Sequence, residues 1–184
     1  MFLRGCGILS VPKVTRSPLK TARTGTRGYA CLAEIEAPPA RVWRALTEPA
    51  LVRIWLGAEA WIDARAGGQY RVGDRERGRE ARIDVYDPNR RLRLIYFAER
   101  GMPPCASAIV DDFLLDSRDG PGRTSLRLLG SGISEAAAWD AFYKRVRVGW
   151  GRGLARLKVA LEKPPRMQPL PQPPAEPPLP GLDY

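Results

Sequence analysis

The chain has 184 residues, no histidine and a formal net charge of +10. Its length suits one domain with a hydrophobic core, while the lack of histidine excludes Ser-His-Asp and Cys-His nucleophile systems and histidine-ligated metal sites. Six of the ten net positive charges lie in residues 1–28, so the rest of the chain is only mildly basic, and a nucleic-acid-binding domain is not predicted. The sequence also contains no apolar run long enough to predict a membrane span.

The two ends of the chain differ in composition from the rest. Residues 1–28 are basic and acid-free, as in a mitochondrial presequence, but Pro12 and Pro18 interrupt the amphipathic helix that a presequence needs. A disordered extension, or a start placed too far upstream, is the preferred interpretation. Residues 164–184 are proline-rich without periodicity, which predicts a disordered tail.

The cysteines indicate the compartment. Cys6, Cys31 and Cys105 are odd in number, widely spaced and form no CxxC motif. This pattern is typical of reduced thiols and predicts a cytoplasmic protein.

A strand and two short helices are predicted first. Residues 29–36 are predicted to form a strand that ends at the sequence Ala-Pro-Pro. Pro39 suits the first turn of a helix, and Pro49 separates this helix from a second short one that ends at Gly57.

A run of antiparallel strands follows. Alternating apolar residues predict strands at residues 60–65, 69–72, 79–86, 92–97, 107–116 and 124–129. Ala66-Gly67-Gly68 is a hairpin signal. Gly130-Ser131-Gly132 is interpreted as the loop that leads to a long helix; it does not complete a dinucleotide-binding motif, because an acid, Glu135, stands at the third glycine position.

Residues 139–161 predict a long amphipathic helix, with Ser134 as its N-cap. One apolar stripe contains Trp139, Phe142, Tyr143, Val146, Trp150, Leu154, Leu157 and Leu161. The basic residues off this stripe are interpreted as a solvated face. Gly149, Gly151 and Gly153 each cost roughly 1 kcal/mol relative to alanine. Gly149 and Gly153 border the stripe, where they indicate either close packing or space for a ligand.

The economical fold is α+β: a curved antiparallel sheet wrapped around the long helix, so that the two apolar faces cover each other. Asp111 and Asp112 stand in one alternating strand, so one of them must face the apolar side. There an unpaired carboxylate is costly. Two interpretations remain open: a carboxylate paired with an arginine or set in a bulge, and a polar anchor in a cavity.

Five segments together resemble the activator of heat-shock-protein-90 ATPase homologue family, within the START-like (SRPBCC) superfamily. They are residues 35–57, which include Ala-Pro-Pro and Val42-Trp43, and residues 62–72, 87–94, 119–132 and 149–162. The resemblance spans residues 29–163. It implies a helix-grip fold with a hydrophobic cavity between sheet and helix, often holding a lipid-like or polyketide-like molecule.

The resulting hypothesis is a domain that binds a small apolar ligand without catalysis and without a cofactor or metal. One alternative implied by the superfamily is an aromatase/cyclase enzyme that uses Asp111 or Asp112. Another is a cochaperone that stimulates a heat-shock ATPase. Both a monomer and a homodimer are left open. The predicted cavity-facing residues are Trp43, Trp55, Tyr70, Ile83, Leu94, Tyr96, Phe113, Leu126, Trp139, Phe142, Val146 and Trp150.

Overall fold

The computed structural model describes residues 25–73, 78–97, 107–117, 120 and 122–163. Over these ranges the strands are β1 (Thr26–Ile35), β2 (Ala60–Ile62), β3 (Gln69–Val72), β4 (Arg79–Asp87), β5 (Arg91–Tyr96), β6 (Ile109–Asp116) and β7 (Thr124–Ser134). The helices are α1 (Pro39–Thr47), α2 (Pro49–Leu56) and α3 (Asp140–Glu162), with a 3₁₀ turn at Ala137–Trp139. The predicted disordered tail at residues 164–184, and most of the predicted extension at residues 1–28, lie outside the described residues.

The strands form one antiparallel sheet in the order β1-β7-β6-β5-β4-β3-β2. Each of β2 to β7 pairs with its neighbour in the chain, and β1 closes the far edge against β7. The long helix α3 covers the inner face through Phe142, Val146, Leu154 and Leu157, which are all buried. The predicted helix-grip architecture is therefore confirmed.

The short helices lie where the sequence predicts, except that Pro49 belongs to α2 rather than to the break before it. Pro39 and Pro49 occupy the first turns of α1 and α2, where a missing backbone N–H costs nothing. Gly57 ends α2 in the left-handed conformation, at φ 67°, which glycine adopts without strain. These two helices place Trp55 and Leu56 against α3 near Gly153.

The path into the long helix differs from the prediction. The strand β7 does not stop at Leu129 but continues through Gly130-Ser131-Gly132 to Ser134, because both β1 and β6 offer this segment ladder partners. Ser134 is not the N-cap of α3. Its hydroxyl accepts a hydrogen bond from the Ala136 N–H in the turn before the helix, at 3.2 Å.

The first strand begins earlier than the predicted start at Tyr29. β1 starts at Thr26, and Arg27 within it forms an ion pair with Asp140 at the start of α3, with a 2.5 Å N–O distance. The guanidinium of Arg27 also lies over the Tyr143 ring, at 4.4 Å. These contacts join the first strand to the first turn of the helix, so the folded unit begins before Tyr29.

Three residues in one row across the sheet position the site described below. Tyr29 of β1 lies opposite Gly130 of β7, and Gly130 lies opposite Asp111 of β6. The Tyr29 ring lies directly over Gly130, and its hydroxyl donates a hydrogen bond to the carboxylate of Asp111. The tyrosine can reach across a whole strand because the intervening residue has no side chain.

Replacing Gly130 by alanine should therefore destabilise the fold. The new Cβ would overlap the Tyr29 ring, and overpacking of this kind costs about 1–3 kcal/mol. We expect the free energy of unfolding, measured by urea denaturation, to fall by an amount near the upper end of this range. The matched control is Gly122→Ala, whose Cβ would meet nothing within 4 Å. Equal stabilities of the two variants would contradict this reading of Gly130.

Candidate functional site

A cavity of about 280 Å³ lies between α3, the end of α2 and strands β3 to β5. It opens at the surface, where two of its lining side chains, Arg145 and Arg156, are exposed. The described lining residues are Leu56, Tyr70, Val72, Arg79, Tyr96, Arg145, Val146, Gly149, Trp150 and Arg156.

The polar atoms of the aromatic lining residues are used inside the protein. The Tyr70 hydroxyl donates to the Leu46 carbonyl oxygen at 3.0 Å, and the Trp150 indole N–H donates to Asp111 Oδ2 at 3.0 Å. Trp150 also packs edge-on against Phe113, with 5.3 Å between ring centroids. These residues therefore present ring surface to the cavity rather than hydrogen-bonding groups.

Asp111 is the fully buried carboxylate behind the cavity wall. It accepts hydrogen bonds from Tyr29 and Trp150 and interacts with the Tyr96 hydroxyl. Arg79 Nη1 lies 4.0 Å from Oδ2, and its guanidinium stacks on the Tyr96 ring at 3.7 Å. Asp111 is not among the described lining residues, but it holds three that are: Arg79, Tyr96 and Trp150.

Burial sets the protonation behaviour of this cluster. Desolvation raises the pKa of Asp111, although Arg79 and the hydrogen bonds from the tyrosines and Trp150 oppose the shift. Desolvation also raises the pKa of Tyr29 far above its ordinary value, with the nearby Asp111 charge adding to the effect. The phenol therefore stays protonated and remains a hydrogen-bond donor.

Asp112 faces the opposite side of the sheet. It accepts a bidentate pair of hydrogen bonds from Arg91, at 3.0 and 2.7 Å. It also accepts hydrogen bonds from Arg93, which lies opposite it on β5. Burial raises the pKa of Asp112, but the hydrogen bonds from Arg91 and Arg93 outweigh it, and the pKa lies below its ordinary value. Asp112 thus fits the paired-carboxylate interpretation, on the face away from the cavity.

The twelve predicted cavity residues divide into two groups. Four line the cavity: Tyr70, Tyr96, Val146 and Trp150. The other eight are buried in the hydrophobic core and are not among the described lining residues: Trp43, Trp55, Ile83, Leu94, Phe113, Leu126, Trp139 and Phe142. Contact of the first four with a ligand stays a prediction.

Comparison with known proteins decides the family. The model of the family described as Activator of Hsp90 ATPase homolog 1-like protein matches residues 36–162. The chain belongs to this family. The predicted resemblance is thereby confirmed. No curated protein matches the chain.

Solved structures of the same fold extend the comparison. Protein MLL2253 from Mesorhizobium loti is 24% identical over 73% of this chain and 96% of its own, with a TM-score of 0.63. The Aha1 dimer from Colwellia psychrerythraea is 20% identical over 74% of this chain and 96% of its own, with a TM-score of 0.64. CalU16 from Micromonospora echinospora is 26% identical over 74% of this chain and 77% of its own, with a TM-score of 0.60.

The glycines of α3 have different roles in this member of the family. A Cβ at Gly149, which lines the cavity, would meet nothing within 4 Å. A Cβ at Gly153 would lie 3.4 Å from the Trp55 ring and 3.8 Å from Leu56. Gly149 therefore leaves open space, whereas Gly153 lies against α2, where a methyl group would fit but a much larger side chain would meet Trp55 and Leu56.

The sequence reasoning missed the cationic part of the site. The amphipathic pattern predicts that Arg145 and Arg156 lie on a solvated face, and it does not predict that Arg79, Leu56 and Val72 line the cavity, yet all five do so. The available signal was spacing, because Arg145, Gly149 and Arg156 recur at i, i+4 and i+11 on one side of a helix.

Within the described part of the chain, no group of Cys, Asp and Glu side chains could hold a metal ion. No described helix is long and apolar enough to cross a membrane.

Enlarging Gly153 should cost stability. Gly153→Leu would force a large side chain against Trp55, with an overpacking cost of about 1–3 kcal/mol. Gly151→Leu is the control, because a Cβ at Gly151 would meet nothing within 4 Å. This substitution should raise the stability, since leucine has a higher helix propensity than glycine. Thermal unfolding measures both. An unchanged melting temperature for Gly153→Leu would argue against close packing here.

The two aspartates should respond to pH in opposite directions. The pKa of Asp111 is raised on folding from an ordinary value of 3.8, so the folded state binds more protons and the contribution of Asp111 to stability falls as the pH rises above 3.8. The pKa of Asp112 is lowered from 3.8, so its contribution is present above that value and is lost as the pH falls.

Urea denaturation between pH 3 and 7 tests this difference. Asp112→Asn should lose most stability relative to the wild type at the upper end of the range, and its deficit should shrink toward pH 3. Asp111→Asn should show the reverse trend, with a deficit that shrinks as the pH rises. Parallel pH profiles for the two variants would refute the opposite shifts.

Proposed function

We propose that this domain binds a small, compact apolar molecule in the cavity beside α3 and performs no chemistry on it. The observation that carries the proposal is the roughly 280 Å³ cavity whose aromatic walls have their polar atoms bonded inside the protein. Sites for small molecules are mostly apolar and occupy about 300–1,000 Å³. A volume near the lower end favours a compact ring system over a long-chain lipid.

The position of Asp111 argues against the enzyme alternative. A general acid or base must come within hydrogen-bond reach of the reacting group, but this carboxylate is fully buried and engaged by Tyr29, Trp150 and Arg79. Asp112 is engaged by two arginines on the other face of the sheet. Both carboxylates are better explained as parts of the framework than as catalytic residues.

The family description supports a second candidate, stimulation of an Hsp90-type ATPase. The measurement is ATP hydrolysis by a bacterial Hsp90 with and without this protein. Stimulation that persists in Gly149→Leu would assign the role to a surface other than the cavity. No stimulation by the folded wild type would remove this candidate.

The cellular setting is also proposed. Cys31 is a free thiol, which supports a reducing, cytoplasmic location; Cys6 and Cys105 lie outside the described residues. The name of the Colwellia psychrerythraea structure describes a dimer, which makes a homodimer the assembly to test by sedimentation velocity.

The neutral fluorescent probe N-phenyl-1-naphthylamine tests the binding function. We expect the wild type to bind one probe molecule with increased fluorescence. Gly149→Leu should abolish this signal because the leucine side chain fills the open space beside Trp150. The variant should remain folded, since leucine has a higher helix propensity than glycine by about 0.8 kcal/mol.

Gly151→Leu is the matched control, because it makes the same substitution in the same helix at a position that does not line the cavity. It should bind the probe like the wild type. Failure of the wild type to bind, or an equal loss in both variants, would overturn the ligand-binding proposal.

A further inference from the structure

The cavity beside α3 combines apolar walls with positive charge. Three of its described lining residues are arginines, Arg79, Arg145 and Arg156, and none of the described lining residues is acidic. Arg79 has a counter-charge in Asp111, 4.0 Å away. Arg145 and Arg156 form no ion pair with any described residue. The uncompensated charge therefore lies on the α3 side of the cavity.

The spacing along α3 places this charge on one side of the helix. Gly149 and Arg156 follow Arg145 by 4 and 11 residues, which places all three on one side of the helix, with Gly149 roughly 6 Å along the axis from Arg145 and roughly 10 Å from Arg156. Gly149 presents bare backbone, since a Cβ there would meet nothing within 4 Å. The result is a notch with a long, cationic side chain on each side.

Apolar surface lies beside these arginines and favours ion pairing with them. The Arg145 guanidinium lies over the Phe142 ring, 5.4 Å from its centroid, and Trp150 and Val146 form the neighbouring wall. A guanidinium beside apolar surface loses less hydration than an ammonium would and can bind a carboxylate with two parallel hydrogen bonds. A neutral apolar ligand would leave both arginines without a partner.

From this juxtaposition we infer that the ligand is an amphipathic anion: a compact apolar ring system in the cavity, with one acidic group, such as a carboxylate or sulfonate, over Gly149 between Arg145 and Arg156. The inference rests on the proposed binding function and adds the chemical class of the ligand. The ring system contacts Tyr70, Val146 and Trp150. The two arginines select for the negative charge.

Two fluorescent probes with the same aromatic body isolate the charge. N-phenyl-1-naphthylamine is neutral, and 1-anilinonaphthalene-8-sulfonate adds one sulfonate to the same ring system. We expect the sulfonate to bind about tenfold more tightly at low salt, the combined effect of two partly exposed ion pairs. This preference should decrease as NaCl is raised, because salt screens exposed charges, while the affinity for the neutral probe should not fall.

Arginine variants locate the interaction. Arg145→Gln and Arg156→Gln should each weaken sulfonate binding about three- to fivefold, and the double variant should bind the two probes equally. Binding of the neutral probe should be unchanged in all three. The control is Arg147→Gln, an exposed arginine of the same helix that does not line the cavity, and it should keep the full preference. Melting temperatures verify that every variant is folded.

The outcomes separate this inference from the proposal beneath it. If the neutral probe binds and Gly149→Leu blocks it, but the sulfonate has no advantage, the anion inference is wrong and the binding function stands. If Arg147→Gln reduces sulfonate binding as much as Arg145→Gln does, diffuse positive charge explains the preference and the inference is again wrong. If neither probe binds the wild type, the binding function fails and the inference fails with it.

Discussion

The buried carboxylate of Asp111 is the constraint on which the rest of the site depends. A carboxylate removed from water must be compensated by hydrogen bonds or opposite charge, because an unpaired buried charge costs several kcal/mol. Here the compensation comes from four separate parts of the chain: Tyr29 at one edge of the sheet, Arg79 at the start of β4, Tyr96 at the end of β5 and Trp150 in the middle of α3. The hydrogen bonds and the ion pair to this carboxylate therefore fix the position of α3 relative to both halves of the sheet.

The same requirement shapes the cavity. Trp150 and Tyr96 direct their polar atoms toward Asp111 and turn their rings toward the open space, so the wall is apolar although it is built partly from polar residue types. Arg79 is held by its stacking on Tyr96 and by the nearby carboxylate. A wall braced in this way loses little conformational freedom when a ligand binds, which reduces the entropic cost of binding.

Sequence patterns located the elements well and the site only in part, for physical reasons. Alternation and helical periodicity reveal which face of an element is apolar, and they predict the sheet and the packing of α3 against it, whereas the family is indicated only by the resemblance of five segments to its members. Periodicity does not distinguish a side chain that fills the core, such as Trp43, from one that lines a cavity, such as Trp150, because both lie on the apolar face. The sequence predicts that Gly130 lies in the loop leading to the long helix, whereas its role beneath Tyr29 depends on pairing between β1 and β7, which are remote from each other in sequence.

The glycines of α3 show why local rules fail at such a site. Each one weakens the helix by roughly 1 kcal/mol relative to alanine, and a sequence optimised for helix stability alone would contain none of them. At Gly153 a Cβ would make ordinary van der Waals contact with Trp55, at 3.4 Å, so this position has room for a methyl group but not for a much larger side chain. Gly149 gains no packing in return, since no described atom lies where its Cβ would be. A residue that destabilises its own helix and leaves open space in a cavity wall, between two arginines without ion-pair partners among the described residues, is better explained by a ligand than by the fold.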